Sequence, residues 1–498
     1  MSRVVIIGSG LGGLECGYIL ARHGHDVTVL EQCRQIGGCL QSFSRRGSDG
    51  VPRLFDCGFH YVGGLDEGQS LYPLFRYFGL LDLPWKKMDE ECFDEVVFVG
   101  EEGTRSYPHA SGHENFAAKL SEAFPEQRSG IWKFTTFLKG VGDNIYAPLL
   151  GKIPPDAEEG MNALFSRSAH EFLKDCVGDG LLAKVLSGSS LKMELGERLP
   201  LYVFAQINNS FIQSAWRLEG GGRMIAEKLA EGIRGMGGEV RTGARVSAIK
   251  TGEGMATGVE TSRGEFIPAD WIISDAHPAL TAGLVEECRQ FRRIYRRRMG
   301  SLENSFGMFT ANIILKSGAL PYLNRNIHVH REGADLWNPN PELTESVMIH
   351  YYPTAGRHAT HLDLISPMSW SKVEKWAELP VGRRGEQYEA VKAAKLAECL
   401  ELASRAVPGL PDAVDKVWCS TPLSYQSYLS SPQGSAYGAL KDWNNPSGTI
   451  LSPRTPLPNL LLTGQSLNLH GILGVSMTSV LTCACVLGSF EAVTKDIF

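Results

Sequence analysis

The residues with the clearest capacity for chemistry lie near the start of the chain. Gly8-Ser9-Gly10-Leu11-Gly12-Gly13 has the spacing GxGxxG, and an acid, Glu31, follows about twenty positions on. This is an arrangement for holding a dinucleotide. Gly8 permits a tight turn, Gly10 lets the backbone approach a pyrophosphate, and Gly13 lets helix and strand pack closely. A helix N-terminus at this turn offers free N–H groups and positive dipole to the phosphates. Glu31 can accept both ribose hydroxyls of an adenosine and would repel a 2′-phosphate.

These groups need elements to position them. Residues 3–7, Arg-Val-Val-Ile-Ile, read as a parallel strand buried on both faces. A helix over 14–23 and a second strand over 26–30 follow, so strand, glycine turn, helix, strand and acid fall in register. The turn alone does not separate NAD from FAD.

Composition bounds the rest. A chain of 498 residues suggests about three units, or two large ones. Its formal charge of −6 argues against a general nucleic-acid binder. With 43% hydrophobic and 21% charged residues, the chain is globular rather than disordered or fibrous. Eleven scattered cysteines are not a disulfide scaffold, so reduced thiols and a cytoplasmic location are expected. No Lys, Arg, Asp or Glu occurs between Arg454 and Glu491, but Gln465, Asn468, His470, Gly471 and Gly474 interrupt that stretch. It reads as a buried strand, a glycine-rich turn and a buried helix.

After Glu31 come Gly37-Gly38 and then Ser42, a spacing that resembles the E-x5-GG-x3-S/T extension of flavin-dependent amine oxidases and carotenoid desaturases. Phe55-Asp56-Cys57-Gly58-Phe59-His60-Tyr61-Val62-Gly63 is similar to the FDxGxHYxG stretch of retinol saturases and carotenoid isomerases. Phytoene desaturases usually carry Pro-Thr after that last glycine and Arg where this chain has Cys39. The departure points to the saturase side. Glu219-Gly220-Gly221-Gly222-Arg223-Met224, the strands near Val240, Val246 and Val259, and Trp271-Ile272-Ile273-Ser274-Asp275-Ala276 resemble the second half of the flavin domain. Leu461-Leu462-Thr463-Gly464-Gln465 resembles its last strand, although many relatives have an acid at Gln465. Gly471-Ile472-Leu473-Gly474-Val475 then starts a helix aimed at the flavin, whose N-terminus would stabilise negative charge on the reduced ring.

The resemblance implies an α/β fold. A bipartite Rossmann-like FAD-binding domain with a parallel sheet would occupy 1–70, 217–285 and 440–498. A mixed α+β substrate domain would be inserted as 71–216 and 286–439. It implies non-covalent FAD, with Val246 at the adenine and with Gly37, Gly38, Gly58, Gly464, Gln465, Gly474 and Val475 among the contacts. It places His60 and Tyr61 against the isoalloxazine, as candidates for proton transfer or for shaping the pocket wall. His470, just before the flavin turn, could face the same cavity or be a structural histidine. The expected function is reduction of a C=C bond in an apolar polyene or isoprenoid. Desaturation or cis–trans isomerisation comes next, and amine oxidation or turnover-free flavin binding are further readings. The glycine turn is not repeated after another strand, so no separate nicotinamide domain is expected. NAD(P)H enters only as an external electron donor, and the electron partner is not legible.

Other clusters have plainer readings. Asp56 is expected to cap backbone. His328-x-His330 and His358-x2-His361 lack a neighbouring ligand set with zinc spacing. No GxSxG elbow supports hydrolysis. Arg289, Arg292, Arg293, Arg296, Arg297 and Arg298 could lie on an anionic membrane, giving peripheral contact, or form a solvated face pairing with Glu286 and Glu287.

Overall fold

The computed structural model describes residues 1–146 and 163–498. A five-stranded parallel sheet runs in the order Glu239–Arg241, Asp26–Leu30, Arg3–Ile7, Trp271–Ser274, Leu460–Leu462. The Arg-Val-Val-Ile-Ile segment is its central strand. Val4, Val5 and Ile6 are buried on both faces, which is why the segment carries no alternation. Helices Leu11–Arg22, Arg223–Gly235 and Gly471–Leu487 cover one face through Ile19, Leu20, Ile225, Leu229, Val480 and Cys483. A three-stranded antiparallel sheet, Val246–Gly252, Met255–Thr261 and Phe266–Pro268, contributes Ile249 and Val259 to the core on the other face.

A seven-stranded sheet forms the second large layer. Its order is Val414–Ser420, Gly307–Leu315, His361–Met368, Ser346–Tyr351, Asn326–Arg331, Asp94–Gly100, Gly103–His109. All pairs are antiparallel except Asn326–Arg331 with Asp94–Gly100. The strand period of two sorts its residues. Phe309, Ala311, Ile313, Val347, Ile349, Leu362 and Leu364 face Cys399 and Leu402 of helix Glu386–Ala406. The alternate row is buried too, yet mixed in chemistry: Met308, Asn312, Asn326, His328, Met348, His350, Asp363, Ile365 and Asp94.

A helical layer that includes Arg128–Asp143, Ala169–Val177, Leu181–Gly188 and Leu201–Gln213 packs on Val96 and Phe98 of the seven-stranded sheet. The uncharged stretch before Glu491 resolves into strand Leu460–Leu462 and helix Gly471–Leu487. Among the described residues no helix is long and apolar enough to cross a membrane. The arginine run forms the short helix Arg293–Gly300. Its expected pairing holds only in part. Arg293 approaches Glu287 at 4.0 Å, but Glu286 pairs instead with Lys250 at 2.8 Å. Arg296 turns inward to the carbonyls of Val285 and Glu286.

Candidate active site

The glycine turn joins strand Arg3–Ile7 to helix Leu11–Arg22. Gly8 has φ +97°, a conformation side chains resist. A Cβ on Gly13 would lie 2.2 Å from the Gly8 carbonyl oxygen, so only glycine permits this helix to sit so close to the turn. Gly37 and Gly38 also have positive φ, and a Cβ on Gly38 would lie 3.2 Å from the Gly10 Cα. The Gly37 N–H donates to the Ser9 carbonyl at 2.9 Å, which draws the second glycine pair onto the first turn.

Glu31 is buried at the end of its strand. Its Oε2 accepts the Ser9 N–H at 3.0 Å and the Ser9 hydroxyl at 2.6 Å, and its Oε1 accepts the Cys33 N–H at 2.7 Å. The acid is thus oriented before any ribose arrives. Asp275 has a role that the sequence reading did not assign. Its carboxyl lies against Gly10, Gly12 and Gly464, and burial raises its pKa to about 7, with Glu31 pushing the same way and the backbone of Gly13 and Gly10 pulling against it. The signal available was its place one residue beyond a strand parallel to the first.

One cavity of about 530 Å³ connects these groups with the predicted residues. Glu31, Val246, Gly8, Gly10, Gly37 and Gly38 line one end. Gly58, Gly464, Gln465 and Val475 line its course, and His60, Tyr61 and His470 also face it. Gly474, expected among the contacts, does not line it: a Cβ there would lie 2.4 Å from the Leu469 carbonyl oxygen, so this glycine serves close packing at the start of helix Gly471–Leu487. Gly13 does not line it, because it serves helix packing. A cradle of backbone N–H groups that Cβ atoms would fill fits a dinucleotide flavin.

The far end is a chamber walled by Leu191, Phe211, Met308, Met348, Ile365 and Tyr425. One strong charge pair borders it. Lys192 lines the chamber and donates to Asp94 Oδ2 at 3.2 Å, with side chains 7% and 0% exposed respectively. The Tyr61 hydroxyl donates to the same oxygen at 2.9 Å. Asn326 Nδ2 donates to Asp94 Oδ1 at 3.0 Å, and His328 Nε2 lies 3.4 Å from it. Burial opposes the charge on Asp94, but Lys192 and His328 outweigh it and hold the carboxyl well below the usual range. Burial and then Asp94 raise the Tyr61 phenol well above its ordinary value. Burial pulls Lys192 down, against the pull of Asp94.

His60 is in a different electrostatic setting. Burial and then Arg217 lower its pKa to about 4, so it is neutral near pH 7. Its Nε2 lies 3.9 Å from Asp363 Oδ2, beyond hydrogen-bond reach. Asp363 accepts Tyr352 at 2.6 Å and Asn312 at 2.7 Å, and burial raises it to about 7. His470 Nε2 pairs with the Lys192 carbonyl at 3.0 Å, which fixes the backbone beneath the lysine. Burial lowers the His470 pKa to about 4.

The remaining candidates are structural. Asp56 accepts the Ser42 hydroxyl at 2.6 Å and the Gly222 N–H at 3.0 Å, at the start of helix Arg223–Gly235. His330 bridges Ser346 and the Gly188 carbonyl, and His361 bonds the Leu54 carbonyl. Among the described residues no three His, Cys, Asp or Glu side chains gather as a metal-binding group.

The model of the flavin containing amine oxidoreductase family matches residues 11–487. The chain belongs to that family. Within this amine oxidoreductase family it is 27% identical to all-trans-retinol 13,14-reductase of Macaca fascicularis, over 97% of this chain and 85% of the relative. It is 25% identical to the chloroplastic prolycopene isomerase of Daucus carota, over 96% and 79%. An oxidoreductase from Methanosarcina mazei shares the fold, with a TM-score of 0.64, 18% identity and coverage of 98% and 100%. The protein is a flavin-dependent oxidoreductase on the retinol saturase and carotenoid isomerase side of the family.

Proposed function

We propose that this oxidoreductase binds FAD non-covalently and reduces one C=C bond of an apolar conjugated polyene. The observation that carries the reading is the continuity of the glycine cradle with a chamber walled by Phe, Met, Leu and Ile side chains. A polyene burying roughly 400 Å² there would gain on the order of 10 kcal/mol before ordering costs. Apolar burial can therefore bind substrate without a charged anchor. Segments 1–70, 217–285 and 440–498 would hold the cofactor, and 71–216 with 286–439 the substrate. Cys39, which lines the cavity, has its pKa raised to about 11 by burial and stays a neutral thiol, consistent with non-covalent binding.

Reduced flavin, when bound in the glycine cradle, would supply the hydride. The protein must supply a proton to the neighbouring carbon and keep water out. Neutral His60 is better suited to wall the chamber than to protonate. Lys192 is the stronger donor, because burial makes its ammonium more acidic while Asp94 keeps it in place. Tyr61, donating to the same carboxylate oxygen, orients Asp94 beneath the lysine. A resident ammonium also disfavours a cationic amine as substrate. The name of the retinol reductase agrees with this reading, and that of prolycopene isomerase keeps isomerisation as the second one. Exposed Arg289, Arg292, Arg293 and Arg297 beside the 76% exposed Ile294 suit peripheral contact with an anionic membrane of the cytoplasmic compartment.

The test is anaerobic. Photoreduced enzyme is mixed with retinol, a carotenoid or an amine, and the flavin spectrum is followed. Reoxidation by a polyene with loss of one double bond supports the reading. Isomerised but unreduced product moves it to isomerase. Reoxidation by no polyene, with rapid reduction of oxidised enzyme by amines, rejects it.

A further inference from the structure

The parallel register decides where Asp275 stands. Ile7 pairs with Ser274, and the Asp275 N–H donates to the Ile7 carbonyl at 2.8 Å. The next residue on each strand, Gly8 and Asp275, therefore turn off the sheet side by side. On the other flank the Thr463 N–H donates to the Ser274 carbonyl at 2.9 Å, which brings Gly464 alongside. The carboxylate occupies the space between. A Cβ on Gly10 would lie 2.3 Å from Asp275 Oδ2, and a Cβ on Gly12 or Gly464 would lie 2.7 or 2.5 Å from Oδ1. Asp275 also lines the cavity.

Arg245 also lines the cavity, but it forms no ion pair with Asp275 among the described residues and does not offset the burial of the carboxyl. Glu31 faces the same space from the second strand, and Asp275 has no ion-pair partner among the described residues. Glu15 on helix Leu11–Arg22 is turned to Ser476 and Ser479. The Cys39 thiol is neutral, and burial lowers His277, two residues on, to about 4, so it is neutral too. A dinucleotide seated on this turn would set two phosphate charges against an unpaired carboxylate. Like charges in a site of low dielectric force one group to neutralise.

We propose that Asp275 holds the diphosphate of the cofactor as a neutral acid. On binding, its carboxyl takes one proton from solvent and donates that O–H to a phosphate oxygen, with no other bond made or broken. The inference rests on the flavin reading and is independent of the substrate. Burial already lifts the free carboxyl to about pH 7, so the charged and neutral forms are both accessible before the ligand arrives. The phosphates would lift it further. Below the free pKa no uptake is expected. Between the free and bound values about one proton is taken up, and the dissociation constant rises about tenfold per pH unit.

The experiment titrates FAD into the full-length apoprotein at ~pH 8 in buffers of differing ionisation enthalpy, with Kd followed by flavin fluorescence from ~pH 6 to ~pH 9. Uptake of about one proton, with affinity falling as pH rises, is the expected result. Asp275→Asn keeps a donor without titration and should bind FAD with a flat pH dependence and no uptake. Asp275→Ala should be flat and weaker throughout. Uptake that survives in Asp275→Asn would overturn the proposal, whether Glu31 or Glu15, which burial raises to about 8, then carries the proton, as would a wild-type protein with no uptake and constant Kd. The wild-type calorimetry decides even if a variant does not fold. Failure to bind FAD at any pH would instead overturn the flavin reading.

Discussion

The glycine cradle and the apolar chamber are ends of one cavity but are built by different means. The cradle is mostly backbone: turns at Gly8–Gly13 and Gly37–Gly38 whose glycines leave room for a ligand to approach the chain. The chamber is side chains brought together from Tyr61, Asp94, Lys192, Phe211, Met308, Met348 and Ile365, which no short segment contains. A backbone site tolerates few residue types but needs little tertiary support. A side-chain site tolerates many types, and each buried polar member depends on its partners. Damage to the cradle should therefore remove cofactor and spare the fold, while damage to the chamber should spare the cofactor and weaken the fold.

The sharpest test on the cradle side is Gly10→Val. Its Cβ would fall 2.3 Å from the Asp275 carboxylate, in the space a pyrophosphate needs. Purified variant should carry no flavin, and thermal melting with and without FAD should coincide, whereas wild type should be stabilised by about 2.7 kcal/mol at 100 times Kd. A variant that retains flavin would break the comparison at its stronger end.

The chamber counterpart is Lys192→Ala, which leaves Asp94 buried without its cation. Loss of about 3–5 kcal/mol in denaturant-induced unfolding is expected. Lys192→Met with Asp94→Leu should recover much of it, since both charges are then gone. FAD affinity should change little in either, although reduction of the polyene should fail in both.

Two milder substitutions sharpen the contrast further. Glu31→Gln should weaken FAD binding by roughly 1.5–3 kcal/mol, the range for a hydrogen bond to a charged group, with little change in the apoprotein's melting. Tyr61→Phe removes a donor to the Asp94 carboxylate and should cost a similar ~1.5–3 kcal/mol, but from stability and not from FAD affinity. Stopped-flow reoxidation should also slow.

The smallest effect concerns His60. Its folded pKa of about 4 is below the ordinary histidine value of about 6.5, so the unfolded chain binds the proton more readily between those values. Stability from this group is thus present above about pH 6.5 and lost as pH falls toward 4. His60→Gln should flatten part of that loss in melting curves. It should leave the flavin reoxidation profile without any change near pH 6.5, since His60 carries no charge there.

The sequence by itself determined the α/β class, the central parallel strand and the cradle. These rest on local rules: unbroken β-branched residues for a strand buried on both faces, and glycine where φ is positive or a Cβ would clash. Such rules leave a trace at fixed spacing, as Gly8, Gly13, Gly37 and Gly38 do. The FDxGxHYxG stretch singled out His60 and Tyr61, and both line the cavity. Their electrostatic surroundings came only from the tertiary structure, which puts Arg217 near His60 and Asp94 beneath Tyr61. It alone brought Lys192 to Asp94 across 98 positions and set Asp275 on the glycine turn through strand register. A proton's place depends on burial and on the charges within a few ångströms. Those neighbours arrive from distant segments, and no spacing along the chain records them.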